Sequence, residues 1–198
     1  MDIDKVVFTS SEAVYGVTKE VLIDEDYPKK PISIYGVTKL TAEYIGLKYS
    51  DLYGLDFIAL RYPMLYGYGI SLTGTRPINY IIESAVMGKP AVLRFSGHMK
   101  VEPLYLKDAV QAVELALKTK KPPAKIYNIG IGKIYSLHEI CDIVKKYIVN
   151  AQCSFGEDPG VLIYPARGPL SIKRAREELG YEPKYDPPKG IIETIEEY

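Results

Sequence analysis

Two short apolar runs flank one long helical pattern near the start of the chain, and this order restricts the fold more than any other feature. "KVVFTSS" at 5–11 and "LDFIALRYP" at 55–63 each predict a buried strand. Between them, Ser33 is a plausible N-cap and Gly54 a plausible C-terminal stop for a helix over about 33–53. A strand, a helix and a strand in this arrangement form a βαβ unit, which predicts an α/β fold with a parallel sheet.

Helices and strands continue to alternate over the rest of the chain. We predict helices over 76–88, 106–118, 136–148 and 171–180, strands over 90–95 and 125–130, an extended proline-rich segment over 181–190, and a last short helix. The apolar face of the 106–118 helix is assigned to Ala109, Val110, Val113 and Leu117. We place the boundary between two regions near residue 66, and the strand near 126–130 is a candidate to return to the first sheet.

The composition is that of a globular protein whose surface carries no excess charge. Hydrophobic residues make up 47% of the 198 residues, enough for a sizeable core, and the formal net charge is zero. Nucleic-acid binding needs a clustered basic surface, so no nucleic-acid partner is expected. The sequence shows no signal-peptide core and no apolar run of the ~18 residues that a membrane span needs, which predicts a cytoplasmic protein without membrane attachment.

Cysteine and histidine are too few for a metal cluster. The chain has two of each, Cys141 and Cys153 with His98 and His138, and no zinc or other metal site is expected. Cys141 lies in an apolar helical pattern, and we interpret it as a core thiol. The low cysteine count weakly favours a reducing compartment.

The stretch "SIYGVTKLTAEY" at 33–44 places Tyr35 and Lys39 about one helical turn apart. Their Cβ atoms would then lie roughly 6 Å apart on one face of the helix. An ammonium beside a phenol favours the phenolate, and such a phenol can exchange a proton with a substrate hydroxyl near neutral pH. The chain has 18 tyrosines, so the same spacing also arises by chance, and the surroundings of each pair must decide.

Three other Tyr/Lys pairs have this spacing: Tyr15/Lys19, Tyr44/Lys48 and Tyr185/Lys189. Tyr15 lies in a predicted turn, and two prolines just after Tyr185 interrupt a helix there. Tyr44 lies nine residues, or about 900° of rotation, beyond Tyr35 and therefore faces the opposite side of the same helix. Tyr35 stands in the first turn, near the carboxyl end of the strand that carries Ser11, where parallel sheets bind ligands.

Longer motifs, in a fixed order, resemble a known superfamily. "TSSEAVYG", a spacing of 24 residues from Ser11 to "YGVTK", and "LRYPMLYG" are similar to the extended short-chain dehydrogenases/reductases, in particular the NAD-dependent nucleotide-sugar epimerases and dehydratases. The later "LKDAVQAVELAL", "IYNIG" and "AREELGYEP" resemble the substrate-binding region of that branch. The resemblance implies that 1–66 is the C-terminal half of an NAD-binding Rossmann domain and that 67–198 is a smaller α/β substrate-binding region.

The resemblance also implies roles for the residues around the pair. Tyr35 would be the general acid or base on a sugar hydroxyl, Lys39 would bind the nicotinamide ribose, and Ser11 would hydrogen-bond the reacting oxygen. A hydride would pass to NAD, or to NADP as the alternative, and in an epimerase it would return. Further positions near the nicotinamide are Ser10, Tyr62 and Pro63. A packing role suits Tyr62 equally well.

The substrate contacts follow the family pattern less closely. Met64 stands where the family often has Asn, and Lys100 is the only basic residue near the position of a phosphate-binding Arg. Glu12 matches an Asp of the dehydratases, but Ala13 stands where they have Glu, which favours an epimerase or a simple dehydrogenase of a small hydroxy compound. The candidate substrate-binding residues are Glu12, Met64, Arg76, Lys100 and Arg167, with a solvated surface position as the alternative for Arg76.

One glycine-rich turn has the form of a phosphate loop. Gly130 and Gly132 follow a predicted strand and precede a helix, but the third glycine position is Tyr135 and no acidic residue lies at the expected offset. The family has a plain turn at this place, and we interpret the segment in the same way.

In the family, a glycine-rich strand, turn and helix hold the cofactor pyrophosphate. Met1 falls just before the counterpart of the family's fifth strand, so the adenosine half of the site is expected to be missing. Two hypotheses remain open: an epimerase-like enzyme completed by a partner or by an upstream segment, and a non-catalytic remnant acting as a binding or assembly module. Either protein is expected to form a homo-oligomer through the 33–53 helix or an exposed sheet edge.

Overall fold

Strands and helices alternate along the chain, as the sequence predicts. The computed structural model describes residues 3–18, 21–70, 76–160 and 167–198, so that Met1 and Lys19 lie outside these ranges. The strands are β1 (Lys5–Ser11), β2 (Asp56–Tyr62), β3 (Met64–Tyr66), β4 (Ala91–Phe95), β5 (Lys100–Val101), β6 (Pro103–Tyr105), β7 (Ile126–Asn128), β8 (Tyr135–Ser136) and β9 (Cys153–Asp158). The helices are α1 (Ile34–Tyr53), α2 (Pro77–Val86), α3 (Leu106–Lys118), α4 (Leu137–Tyr147), α5 (Lys173–Leu179) and α6 (Pro187–Glu197).

Three parallel strands form the central sheet, in the order β1–β2–β7. Ser11 at the end of β1 lies opposite Tyr62 at the end of β2, so both strands end at the same edge. The other strands form two parallel pairs, β3 with β6 and β4 with β9, and one antiparallel pair, β5 with β8. The parallel α/β fold is confirmed, and β9 is the longest strand that the sequence analysis did not predict.

Two glycines bring α1 close to this sheet. A Cβ atom on Gly36 would lie 2.5 Å from the carbonyl oxygen of Ala13, and one on Gly46 would lie 2.2 Å from the ring of Phe57. The helix begins after Ser33, whose hydroxyl accepts a hydrogen bond from the Gly36 amide at 3.0 Å, and it ends at Gly54 in the left-handed region, with φ of 70°. The predicted start and end of the helix are therefore confirmed.

Most large apolar side chains of α1 are exposed and form an apolar face on this helix, whereas Leu40 packs against a buried cluster. The residues of this apolar face, which are 48–85% exposed in the monomer, are Ile34, Val37, Tyr44, Ile45, Tyr49 and Leu52. The buried residues of the helix are instead Gly36, Glu43, Gly46 and Ser50. No helix among the described residues is long and apolar enough to cross a membrane.

The buried side of α3 differs from the prediction. Its buried residues are Asp108, Ala109, Ala112 and Ala116. Val110 is 48% exposed and Leu117 is 55% exposed, so assigning both to the buried face was wrong. The large apolar residues predicted which face of α3 would pack on the sheet, but the helix packs there through its alanines instead.

The helix α6 begins earlier than the sequence suggested. Pro187 and Pro188 occupy its first two positions, where helical amides have no partner within the helix and a fixed φ is favourable. The side chain of Asp186 caps it by accepting a hydrogen bond from the Lys189 amide at 3.0 Å. The prediction of extended structure up to residue 190 was therefore wrong beyond Asp186.

A disulfide joins Cys141 in α4 to Cys153 in β9. The prediction of a core thiol at Cys141 was therefore wrong, and the low cysteine count no longer supports a reducing compartment. Cys141 is buried in the core that α4 forms with α2 and β4. The pairing depends on β9 lying beside this core, and the sequence analysis did not predict β9.

Removal of this disulfide is expected to destabilise the protein. The double substitution Cys141→Ala/Cys153→Ala should lower the free energy of unfolding by about 3 kcal/mol, because a cross-link over a loop of this size restricts the unfolded chain. Urea unfolding of the wild type, the variant and the dithiothreitol-reduced wild type would measure the effect. Equal stability of oxidised and reduced protein would contradict it.

Candidate active site

A cavity of about 460 Å³ opens at the carboxyl ends of β1 and β2. Its walls come from the end of β1, the start of α1 and the segment after β2, together with Arg76 and Arg167. All candidate site residues named from the sequence line it, except Lys100. Lys100 lines a smaller adjoining cavity, to which Glu12 and Arg167 also contribute.

Tyr35 and Lys39 both line this cavity. The ammonium of Lys39 lies 5.6 Å from the ring centre of Tyr35 and donates a hydrogen bond of 2.8 Å to the carbonyl oxygen of Thr9 in β1. Desolvation lowers the pKa of Lys39. Tyr35 is 55% exposed, and within the described ranges no protein group hydrogen-bonds its hydroxyl. The phenol is therefore accessible to a ligand, while the ammonium is held by the strand.

The two serines at the end of β1 have different partners. Ser11 lines the cavity, and its oxygen accepts a hydrogen bond of 3.2 Å from the Ala13 amide, which leaves its proton available to a ligand oxygen. The hydroxyl of Ser10 instead donates a hydrogen bond of 2.5 Å to the buried carboxylate of Glu43. Ser10 thus lines the cavity, but its hydroxyl proton is donated to Glu43 and not to a ligand.

Tyr62 has its hydroxyl directed away from the site. It donates a hydrogen bond of 3.1 Å to the carbonyl oxygen of Ala109 in α3, and burial raises its pKa. The adjoining Pro63 and Met64 present apolar surface to the cavity. For the hydroxyl of Tyr62, the structure supports the packing role that the sequence left open.

Of the two arginines that line the cavity, Arg167 has a carboxylate partner, whereas Arg76 has none among the described residues. Arg167 donates from Nη1 to Glu12 at 2.9 Å and from Nε to the carbonyl oxygen of Gly16 at 3.0 Å. Burial raises the pKa of Glu12, although the Arg167 charge opposes this shift. Among the described residues, no carboxylate pairs with Arg76, which is half-buried at the cavity wall. Arg76, Arg167 and Lys39 against Glu12 make the lining suitable for an anionic ligand.

A buried ion pair close to the cavity was not predicted from the sequence. Arg61 in β2 donates to both carboxylate oxygens of Glu43 in α1, at 2.9 and 2.7 Å, and both side chains are at most 3% exposed. Arg61 also donates to the Tyr15 hydroxyl at 2.8 Å. One signal was present in the sequence: Glu43 lies on the same side of the helix as the close-packing Gly36 and Gly46.

The turn at Gly130–Gly132 does hold an acidic group, but that group is the carboxyl of the protein's own Glu102. The amides of Ile131 and Gly132 each donate to one carboxylate oxygen at 2.7 Å, and the Leu170 amide donates to the other at 2.7 Å. A Cβ atom on Gly130 would lie 2.2 Å from this carboxylate. Glu102 therefore occupies the place that a phosphate would need, which agrees with the interpretation as a plain turn.

The buried carboxylate of Glu102 should make stability depend on pH. Burial raises its pKa from 4.5 to about 8, and the amide donors offset this only in part. Because the folded state binds a proton that the unfolded state releases between pH 4.5 and about 8, stability should fall as the pH rises through this window, by on the order of a few kcal/mol.

The variant Glu102→Gln has no titratable group at this position. Its free energy of unfolding should therefore lack the part of the pH dependence that Glu102 contributes. Urea unfolding of wild type and variant at pH 5, 6.5 and 8 provides the comparison, since the other carboxyl groups are common to both. Parallel pH profiles would show that Glu102 does not titrate in this window.

The chain is similar to known proteins both in sequence and in structure. Residues 1–130 match the NAD dependent epimerase/dehydratase family. The chain is 35% identical over 198 residues to the putative UDP-glucose 4-epimerase of Methanocaldococcus jannaschii, an alignment that covers 98% of this chain and 63% of that protein. The structure is similar to UDP-glucuronic acid 4-epimerase from Bacillus cereus, solved in complex with UDP-glucuronic acid and NAD, with a TM-score of 0.84, 25% identity and coverage of 99% of this chain and 62% of the other.

The fold is also shared with L-threonine dehydrogenase from Phytophthora infestans, at a TM-score of 0.88 and 20% identity, over 98% of this chain and 64% of that one. The chain thus spans less than two thirds of the length of each of these proteins. The family match nevertheless extends over most of the chain and includes both strands and the helix that form the cavity. This chain therefore belongs to the NAD dependent epimerase/dehydratase family.

Proposed function

We propose that this chain carries the hydride-transfer site of a nucleotide-sugar epimerase, acting on a sugar carbinol with NAD as cofactor. The observation that carries the proposal is the convergence of an accessible Tyr35 phenol, the Lys39 ammonium and the Ser11 hydroxyl on one cavity. The names of the relatives point to the same chemistry, since they include UDP-sugar 4-epimerases and a complex with NAD.

The cavity residues fit the nicotinamide end of NAD. Lys39 uses one of its three N–H donors on Thr9, which leaves the others for ribose hydroxyls, and Pro63 offers an apolar surface for a ring. Bound NAD would supply the hydride acceptor, and later the donor, for the sugar carbon. NADP is the alternative cofactor.

Proton transfer is the task of the protein's own side chains. Tyr35 would take the proton of the sugar hydroxyl as oxidation proceeds and give it back on reduction. The Lys39 ammonium lies 5.6 Å from the ring centre of Tyr35, and Ser11 can donate a hydrogen bond to the same substrate oxygen. Proton transfer at this site therefore depends on the accessibility and position of these side chains, and it needs no second cofactor besides NAD.

The arginines of the wall suit the diphosphate of a nucleotide sugar. Arg76 has no carboxylate partner among the described residues, and Arg167 keeps its Nη2 donors beyond the bonds to Glu12 and Gly16. Guanidinium groups bind phosphate oxygens well because several donors act together. Met64 gives the sugar an apolar contact in place of the amide that the family often has.

The first test is NAD binding by calorimetry, with conversion of UDP-glucose to its 4-epimer followed by NMR. We expect a micromolar dissociation constant that weakens at least tenfold in Lys39→Ala, and no change in Lys48→Ala, an exposed lysine on the same helix. Absence of binding at millimolar NAD would overturn the proposal and favour a non-catalytic binding module. Accumulation of NADH from a small hydroxy compound without epimerisation would instead favour a simple dehydrogenase.

We also propose that the apolar face of α1 pairs with a second copy of this chain. This face is continuous along the helix, and six of its residues are 48–85% exposed in the monomer. Ile45→Glu is expected to convert a dimer into a monomer in equilibrium sedimentation, because it buries a charge in the contact. The control Val149→Glu changes an apolar residue that is 83% exposed elsewhere. A dimer that survives Ile45→Glu would place the contact at another surface, such as the edge of β1.

A further inference from the structure

We propose that Glu43 is a positioning residue, whose carboxylate sets the place of Tyr35 and Lys39 relative to Ser11. The inference rests on the proposed function of the cavity, because it concerns the geometry of the same three side chains. Glu43 does not line the cavity and would act through the helix that carries the other two residues.

The helix α1 contacts the end of β1 through two polar side chains. Lys39 donates to the carbonyl oxygen of Thr9 at 2.8 Å, and one turn later Glu43 accepts from the Ser10 hydroxyl at 2.5 Å. Thr9 and Ser10 directly precede Ser11. Two successive turns of the helix are therefore tied to two successive residues of the strand, immediately before the serine of the site.

The strand β2 holds the same carboxylate through Arg61. Arg61 binds it through two nitrogens, at 2.9 and 2.7 Å, and directly precedes Tyr62 at the cavity. The guanidinium is itself fixed by the Tyr15 hydroxyl at 2.8 Å and by the carbonyl oxygen of Glu25 at 3.2 Å. One buried carboxylate thus joins the helix to both strands that end at the site.

Few other long side chains hold α1 on the sheet. Its fully buried residues are Gly36, Glu43, Gly46 and Ser50, of which Glu43 has the longest side chain, and Leu40 is partly buried against a core cluster. Glycine contacts allow a close approach, but they do not interlock and so do little to fix the rotation or the axial position of the helix. Glu43 supplies that constraint, and loss of it should let the first turn of α1 shift.

A small shift at this point has a large expected effect on catalysis. A displacement of about 1 Å can reduce turnover about 100-fold, because the reacting groups must meet in one geometry. Glu43→Gln keeps the size of the side chain, but its NH₂ group would face an Arg61 donor. We expect kcat to fall 10- to 100-fold, with KM and the dissociation constant of NAD within about twofold of the wild type.

The experiment compares three variants of the chain by kcat, KM and thermal unfolding. The first is Glu43→Gln, and the second is Glu43→Leu/Arg61→Leu, in which apolar residues replace the pair and can restore stability. The control is Asp51→Asn, which removes a carboxylate from an exposed pair on the same helix. We expect low kcat in the first two, even where the double variant melts at the wild-type temperature, and wild-type kcat in the third. Recovery of kcat together with stability would overturn the proposal.

Hydrogen exchange gives a readout that does not need turnover. In Glu43→Gln, amides at 34–39 and 9–12 should exchange at least tenfold faster than in wild type and in Asp51→Asn. Unchanged exchange at both segments would overturn the positioning role. If wild-type protein binds NAD but converts no nucleotide sugar, the proposed function fails, and the exchange data still decide whether Glu43 holds the first turns of α1.

Discussion

Phenylalanine in place of Tyr35 is expected to reduce the turnover of a nucleotide sugar by 10²- to 10⁴-fold, because the proton of the reacting hydroxyl loses its acceptor. The fold should be unaffected, since Tyr35 is 55% exposed and its hydroxyl has no protein partner in the described ranges. Steady-state and single-turnover kinetics measure the loss, and calorimetry should find NAD binding nearly unchanged.

The matched control for this substitution is Tyr44→Phe. Tyr44 lies on the same helix, has a lysine four residues later, and is exposed to the same extent at 56%. It lies outside the cavity lining and should keep wild-type turnover. If Tyr35→Phe retains more than a tenth of the wild-type rate, Tyr35 is not the acid or base of the reaction.

Arg61→Ala is expected to lower the free energy of unfolding by about 3–5 kcal/mol, because it leaves the Glu43 carboxylate buried without its counter-ion. The Tyr15 hydroxyl and the carbonyl oxygen of Glu25 lose a donor at the same time. The free energy of unfolding of domains of this size is only about 5–15 kcal/mol, so the substitution should remove a large fraction of it. Urea unfolding followed by circular dichroism gives the value directly.

The comparison for Arg61→Ala is Lys48→Ala. Lys48 pairs with Asp51 on the same helix, but the two side chains are 75% and 60% exposed. Exposed pairs of this kind contribute about 0–1 kcal/mol, so the control should unfold nearly as the wild type does. Equal effects of the two substitutions would mean that the buried pair is not desolvated as the structure indicates.

Much of the fold around the site could be predicted from the sequence, because its signals are local. The cap at Ser33, the stop at Gly54 and the apolar runs on either side act within a few residues of the elements that they define. Once the strands are parallel, their carboxyl ends must meet at one edge. That requirement is why the sequence alone predicts that Ser11, Tyr35 and Lys39 lie together.

The remaining features depend on which surfaces meet across long stretches of chain. The side of α1 that faces the sheet is selected by close glycine contacts, so the helix buries Glu43 and exposes most of its large apolar residues, the reverse of what hydropathy suggests. Arg61 is 18 residues from its partner, and Glu102 receives amides from segments 29 and 68 residues away. Such pairings follow from tertiary packing, because a buried polar or charged group is stable only where its partners also lie, and local sequence does not specify that place.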